Sequence, residues 1–165
     1  MYSEIKAKNI MTTRLVTLKP DDDIYLGLHA LLSHQISGAP VVDDNGMFLG
    51  IFNEKSCMSV VLSDQFYGAS NTTVSAFMFT DVKIIAMDTP LIDIAMLFRN
   101  EPLRRLPVLL NGRLVGQVSR RDVLRAVEST LKKECVKRKC KCRSVSPIPY
   151  YSALIDPLDH GSNQA

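Results

Sequence analysis

The sequence predicts a mixed α/β (α+β) fold in which one β-α-β-β-α unit occurs twice and the two copies pack through their sheets. Three observations carry this prediction. Met11, Thr13, Ile24 and Pro40-Val41 recur as Met78, Thr80, Leu91 and Pro107-Val108 at an offset of 67, and Gly46 and Gly50 recur as Gly112 and Gly116 at an offset of 66. Each copy carries apolar residues at helical spacing between two short apolar runs. Each also carries an Asn-Gly pair between two such runs, the residues a tight hairpin needs for its left-handed positions.

The elements follow in order within repeats at 9–62 and 76–128. A first strand is predicted at Leu15–Leu18 and Val82–Ile85. A helix follows, with one face formed by Ile24, Leu28, Leu31 and Leu32, and by Leu91, Ile94, Ala95 and Phe98 in the second copy. Ala39–Val42 and Leu106–Leu110 read as the next strand, Asn45-Gly46 and Asn111-Gly112 as the hairpin, and Met47–Phe52 and Arg113–Val118 as the return. A last helix closes each copy, at Glu54–Leu62 and Arg120–Lys132. One copy of this size makes a marginal core, so the two are expected to bury a shared one. The single-residue slip between the offsets falls between Val42 and Gly46, where a turn can absorb it. Residues 63–75 read as a polar connector, 129–143 as a basic cysteine-bearing extension, and 144–165 as a tail the fold can do without.

Composition narrows the function. The chain has 165 residues, 46% hydrophobic and 22% charged, which fits a folded globular protein. No apolar stretch is long enough to span a membrane and the N-terminus lacks an apolar signal core, so the expected location is cytoplasmic. The net charge of +3 is unevenly spread: residues 132–143 hold seven Lys/Arg and one Glu, leaving a mildly acidic body. Cys135, Cys140 and Cys142 sit in that run and Cys57 in an apolar one, so free thiols are expected, with no metal site. The run is a solvated extension, or a contact for an acidic partner or membrane surface. Its lack of interleaved aromatics argues against nucleic acid. His29, His34 and His160 have no ligand or catalytic spacing, and no phosphate loop is present, so an enzyme is not expected.

The segments that open the last helices carry the candidate site. Ser119-Arg120-Arg121-Asp122 has the form of a capping box, with Ser at the N-cap and an acid three residues on. A helix starting there also aims free N–H groups outward and favours an anion. The first copy has Asn53-Glu54-Lys55-Ser56 instead, still a sound N-cap. Capping and ligand binding both remain open for these residues, and the two do not exclude each other.

The doubled order, Met11 and Met78, the Pro-Val strands, the Asn-Gly hairpins and the exit motif Gly116-Gln117-Val118-Ser119-Arg120-Arg121-Asp122 together resemble a tandem pair of CBS domains, the Bateman module, over residues 9–128. The resemblance implies two βαββα units about a pseudo-twofold axis, adenosine-nucleotide binding (AMP, ADP or ATP, with no required cofactor) and regulation of a separate, unidentified protein. It implies that Asp122 takes both ribose hydroxyls, that Ser119 contacts ribose or phosphate, and that Arg120 and Arg121 add positive charge. The cleft would lie against Val16, Thr17, Leu18, Ser37, Gly38, Ala39 and Pro40 of the first copy, with Arg104 reaching a phosphate. The second cleft, at Asn53, Ser56, Ile84, Arg105 and Pro107, is expected to be weak, because Ser56 stands where the family has an acid. Both arginines read equally as solvated surface charges. A homodimer is expected through Met58, Val61, Leu62, Val123, Leu124 and Val127 of the last helices. The alternatives are a ligand-free dimerising scaffold and a nucleic-acid or membrane-surface binder working through the basic tail.

Overall fold

The structure, a computed structural model, describes residues 2–62 and 73–137. The connector between 63 and 72, the basic run beyond Lys137 and the tail at 144–165 lie outside these residues. Met1–Thr130 form one compact unit and Leu131–Ala165 a second, of which only the end of the last helix is described.

The first copy contains α2 (Ile24–Ser33), β1 (Gly38–Val42), β2 (Phe48–Asn53) and α3 (Glu54–Leu62), preceded by the single-turn α1 (Ala7–Ile10). The second contains β3 (Ile85–Ala86), α5 (Leu91–Asn100), β4 (Arg105–Leu110), β5 (Arg113–Ser119) and α6 (Arg120–Lys137), preceded by α4 (Val74–Phe77). β1 and β2 pair antiparallel, as do β4 and β5, while β3 adds parallel to β4. The first strands are the main departure from the sequence reading. Leu15–Leu18 make no strand: only Leu18 bridges, to Val41. Its equivalent Ile85 bridges Val108, at the edge rather than the centre of the apolar run. Leu15 and Val16 of the first run, and Val82 and Lys83 of the second, line the clefts described below.

The hairpins explain the slip in the repeat. In the second copy Asn111 and Gly112 both have positive φ, 51° and 79°, and close a two-residue turn. In the first copy only Gly46 does, at 76°, and the turn starts earlier, at Asp43. The Asp43 carboxylate accepts from the amides of Asn45 and Met47 at 2.9 and 2.8 Å, which supports the extra residue.

Two cores form, not the single shared one expected. Leu18, Ile24, Leu31, Ala39, Val41, Phe52, Cys57, Val60 and Val74 make the first. Ala7, Ile85, Leu91, Ile94, Phe98, Leu106, Val108, Val118 and Val123 make the second. The reason is an exchange of leading segments: Ala7, ahead of the first copy, is buried in the second core, and Val74, within the predicted connector, is buried in the first. The backbone seals the exchange on both sides, with Ala7 N–H on the Thr89 carbonyl and Val74 N–H on the Asp22 carbonyl, 2.9 and 2.8 Å. Thr12 pairs with Gln117 and Phe79 with Ile51, the same bridge in each half of a pseudo-twofold pair. The hairpin tips meet as well, Phe48 N–H to the Gly112 carbonyl and Leu114 N–H to the Gly46 carbonyl, both 3.0 Å.

α2 buries Ile24, Gly27 and Leu31, whereas Leu28 and Leu32, expected on the core face, are 41% and 70% exposed. α5 buries Leu91, Ile94 and Phe98 as its spacing predicts.

Cys57 lies in the first core, and burial pushes its thiol up from the ordinary value. A raised thiol keeps its proton in the fold at pH values where the unfolded chain releases it. Its contribution to stability is therefore complete below the unfolded thiol pKa and declines as pH rises through the folded one. Cys57 is expected to resist alkylation at pH 8 in native protein and to label readily in urea, as peptide mass mapping can check.

Candidate functional site

β5 delivers Ser119 to the start of α6, and the sequence there closes a reciprocal cap. The Ser119 amide and hydroxyl donate to Asp122 Oδ2 at 2.8 and 2.6 Å, and the Asp122 amide faces Ser119 Oγ at 3.4 Å. Both donors use the same carboxylate oxygen. Oδ1 lies instead 3.7 Å from the guanidinium of Arg125, and the Asp122 side chain keeps 13% of its surface exposed. The cap therefore occupies one oxygen of the carboxylate, the other lies beside Arg125, and both residues line a cavity.

That cavity measures about 630 Å³ and is walled by both copies. Val16, Ser37 and Gly38 come from the first; Arg104, Ser119, Arg120, Arg121 and Asp122 come from the second. Four expected residues stand elsewhere. Leu18 is drawn into the first core, its amide on the Pro40 carbonyl and its carbonyl on the Val42 amide, and Pro40 is buried with it. Thr17 is exposed outside the cavity, and Ala39 lines the neighbouring cleft. The cavity also gathers Arg14, Ile36, Arg105, Gln117 and Arg125. Arg125 was legible, since it lies one helical turn beyond Arg121 and Asp122. Arg14 has no motif to mark it.

A second cleft of about 460 Å³ lies at the pseudo-symmetric position and contains Asn53 and Arg105 as expected. Ser56 is fully buried, because it completes the equivalent cap: Asn53 N–H donates to its Oγ at 3.1 Å, and its own amide donates to Asn53 Oδ1 at 3.0 Å. Pro107 is buried in β4, and Ile84 lies outside the cleft, its place taken by Val82 and Lys83. Arg104 and Arg105 border both clefts, and Arg104 faces Glu54 across 3.7 Å. Two such exposed side chains hold each other weakly.

Among the described residues no group of three or more His, Cys, Asp or Glu could hold a metal ion, and no helix is long and apolar enough to cross a membrane.

The model of the CBS domain matches this chain twice, at residues 7–63 and 74–129. The chain belongs to the CBS domain family. Both matches begin at the short helices that exchange between copies. An uncharacterized protein of Methanocaldococcus jannaschii is 28% identical over 122 residues, 74% of this chain and 42% of that protein, so the CBS pair spans less than half of this relative. A CBS domain-containing protein of Dictyostelium discoideum is 28% identical over 73% of this chain and 90% of its own length. Among solved structures, CBSX2 in complex with AMP superposes with a TM-score of 0.69 at 27% identity, over 76% of this chain and 98% of that one. CBSX2 from Arabidopsis thaliana gives 0.68 at 26% identity.

Proposed function

We propose that this CBS pair is a regulatory module that binds an adenosine nucleotide beside Asp122 and acts on a separate protein, by binding rather than by catalysis. The observation that carries the reading is Asp122, whose Oδ1 takes no part in the cap and lies 3.7 Å from Arg125, lining a cavity that Val16, Ser37 and Gly38 wall from the other copy. A carboxylate oxygen accepts from a hydroxyl, the first turn of α6 offers amides to a phosphate, and apolar atoms of Val16 and Ile36 flank a base. CBSX2, which shares the fold, has been crystallised with AMP. Calorimetry of the full chain with AMP, ADP and ATP tests this. Saturable binding by at least one of them is expected, and silence from all three at millimolar concentration would hand the function to the scaffolding alternative.

The same module is proposed to dimerise through its last helices. Met58, Leu62 and Leu124 are 56%, 84% and 67% exposed, an apolar surface that association would cover. Val123 does not belong to it, being buried in the second core, and Val127 packs against that core. Sedimentation velocity is expected to show a dimer for the wild type and a monomer for Met58→Glu/Leu124→Glu with unchanged circular dichroism.

A further inference from the structure

We infer that the Asp122 cleft selects a nucleoside polyphosphate over a nucleoside monophosphate; the inference rests on the nucleotide-binding reading above and names the ligand class of that site. The basis is charge. Six arginines line this cavity, Arg14, Arg104, Arg105, Arg120, Arg121 and Arg125, with Asp122 the one acid among its lining residues and Glu54 of the neighbouring cleft 3.7 Å from Arg104. They come from three separate segments: the chain between α1 and α2, the start of β4, and the first turns of α6. They therefore border the cavity from several sides rather than forming one solvated helix face.

A phosphomonoester carries a charge of about −2 and three acceptor oxygens, so two or three guanidiniums saturate it. Six leave a large surplus of positive potential, which each further phosphoryl group of a di- or triphosphate would meet with another forked donor pair. A phosphate-free nucleoside draws nothing from it.

The second cleft serves as the internal control, because the two are related by the repeat. At the positions matching Arg14, Arg120 and Arg125 it has Asp81, Glu54 and Ser59. Asp81 and Glu54 both line it, beside Lys55, Lys83, Arg104 and Arg105. The fold is the same and the helix start is again capped, here by Asn53 and Ser56, but four cationic side chains face two carboxylates where the first cleft has six against one, so the positive surplus is smaller. Arg104 and Arg105 border both clefts, whereas Arg14, Arg120, Arg121 and Arg125 belong to this one alone. Arg14 is the most informative member, since it takes no part in the cap and is exposed, so its replacement leaves the folded state intact.

The test is calorimetry of the full-length protein with adenosine, AMP, ADP and ATP at two salt concentrations, on wild type, Arg14→Gln and Arg14→Asp. Each added charge-assisted contact should strengthen binding about tenfold. ATP should therefore bind at least about tenfold more tightly than AMP, with a steeper loss of affinity on adding salt, and adenosine more weakly than either. Arg14→Gln should lower ATP affinity several-fold and AMP affinity less, and Arg14→Asp should narrow the gap further. Equal binding of AMP and ATP by wild type, or equal losses for both in the Arg14 variants, overturns the polyphosphate assignment while nucleotide binding stands. Absence of binding by every compound overturns both.

Discussion

Gly50→Ala is expected to destabilise the protein by about 2–4 kcal/mol, an overpacking cost at the upper end of what one methyl group causes. A Cβ at this position would stand 2.5 Å from the carbonyl oxygen of Phe79 and 3.2 Å from Met78 Sδ. The first neighbour is backbone, and it is committed: the Phe79 carbonyl accepts from Ile51 N–H at 2.9 Å, and Phe79 N–H donates to the Ile51 carbonyl at 2.8 Å. Making room for the methyl group pushes the leading segment of the second copy off the return strand of the first. The same shift draws on Val74 and Phe77, which fill the first core from that segment. Gly116→Ala meets the pseudo-symmetric contact, at 2.6 Å from Met11 Sδ and 3.1 Å from the Thr12 carbonyl. Here the nearest atom is the far end of a flexible side chain, so the cost should be smaller. Urea denaturation of the two variants checks both the size and the order. A Gly50→Ala protein as stable as wild type would mean the copies do not dock through this edge.

These contacts also show what the sequence could and could not disclose. Met11 with Met78 and Gly50 with Gly116 were visible as repeat markers, and in the fold each Met packs on the Gly of the opposite copy. The repeat was therefore legible, while its cross-copy meaning was not, because an offset does not say which copy a residue touches. The exchange of Ala7 and Val74 was hidden for the same reason, compounded by the polar composition around Val74. The first strands were overread because an apolar run records burial, and here one residue of each run reaches the sheet edge. At the site, the capping box followed from the motif, whereas the placement of Asp122 beside Val16, Ser37 and Gly38 was an expectation of the family resemblance and not of the repeat. Leu18 and Pro40 did not, since the bonds between them carry both into the core. Ser56 was read as a weak cleft residue, and its complete burial came from the cap it closes with Asn53.

Asp122→Asn is expected to weaken nucleotide binding by about ten- to hundredfold, equivalent to about 1.5–3 kcal/mol for a charged acceptor, while leaving folding nearly unchanged. The asymmetry of the carboxylate makes the two effects separable. Oδ2 accepts from both the amide and the hydroxyl of Ser119, at 2.8 and 2.6 Å, and an asparagine oxygen can take over both bonds. The asparagine NH₂ then falls where Oδ1 was, directed toward Arg125 and the cavity. It donates where the carboxylate accepted, so hydroxyl donors of a bound ribose lose their acceptor, and the charge that balanced Arg125 goes with it. Asp122→Ala removes the cap as well and should cost about 1 kcal/mol of stability in addition. Calorimetry with the tightest-binding adenosine nucleotide, paired with thermal unfolding of both variants, separates the outcomes. A loss of affinity in Asp122→Asn at an unchanged melting temperature assigns Oδ1 to the ligand. Equal affinity in wild type and Asp122→Asn would leave Asp122 as a helix cap alone and move the ligand to another part of the arginine-lined cavity.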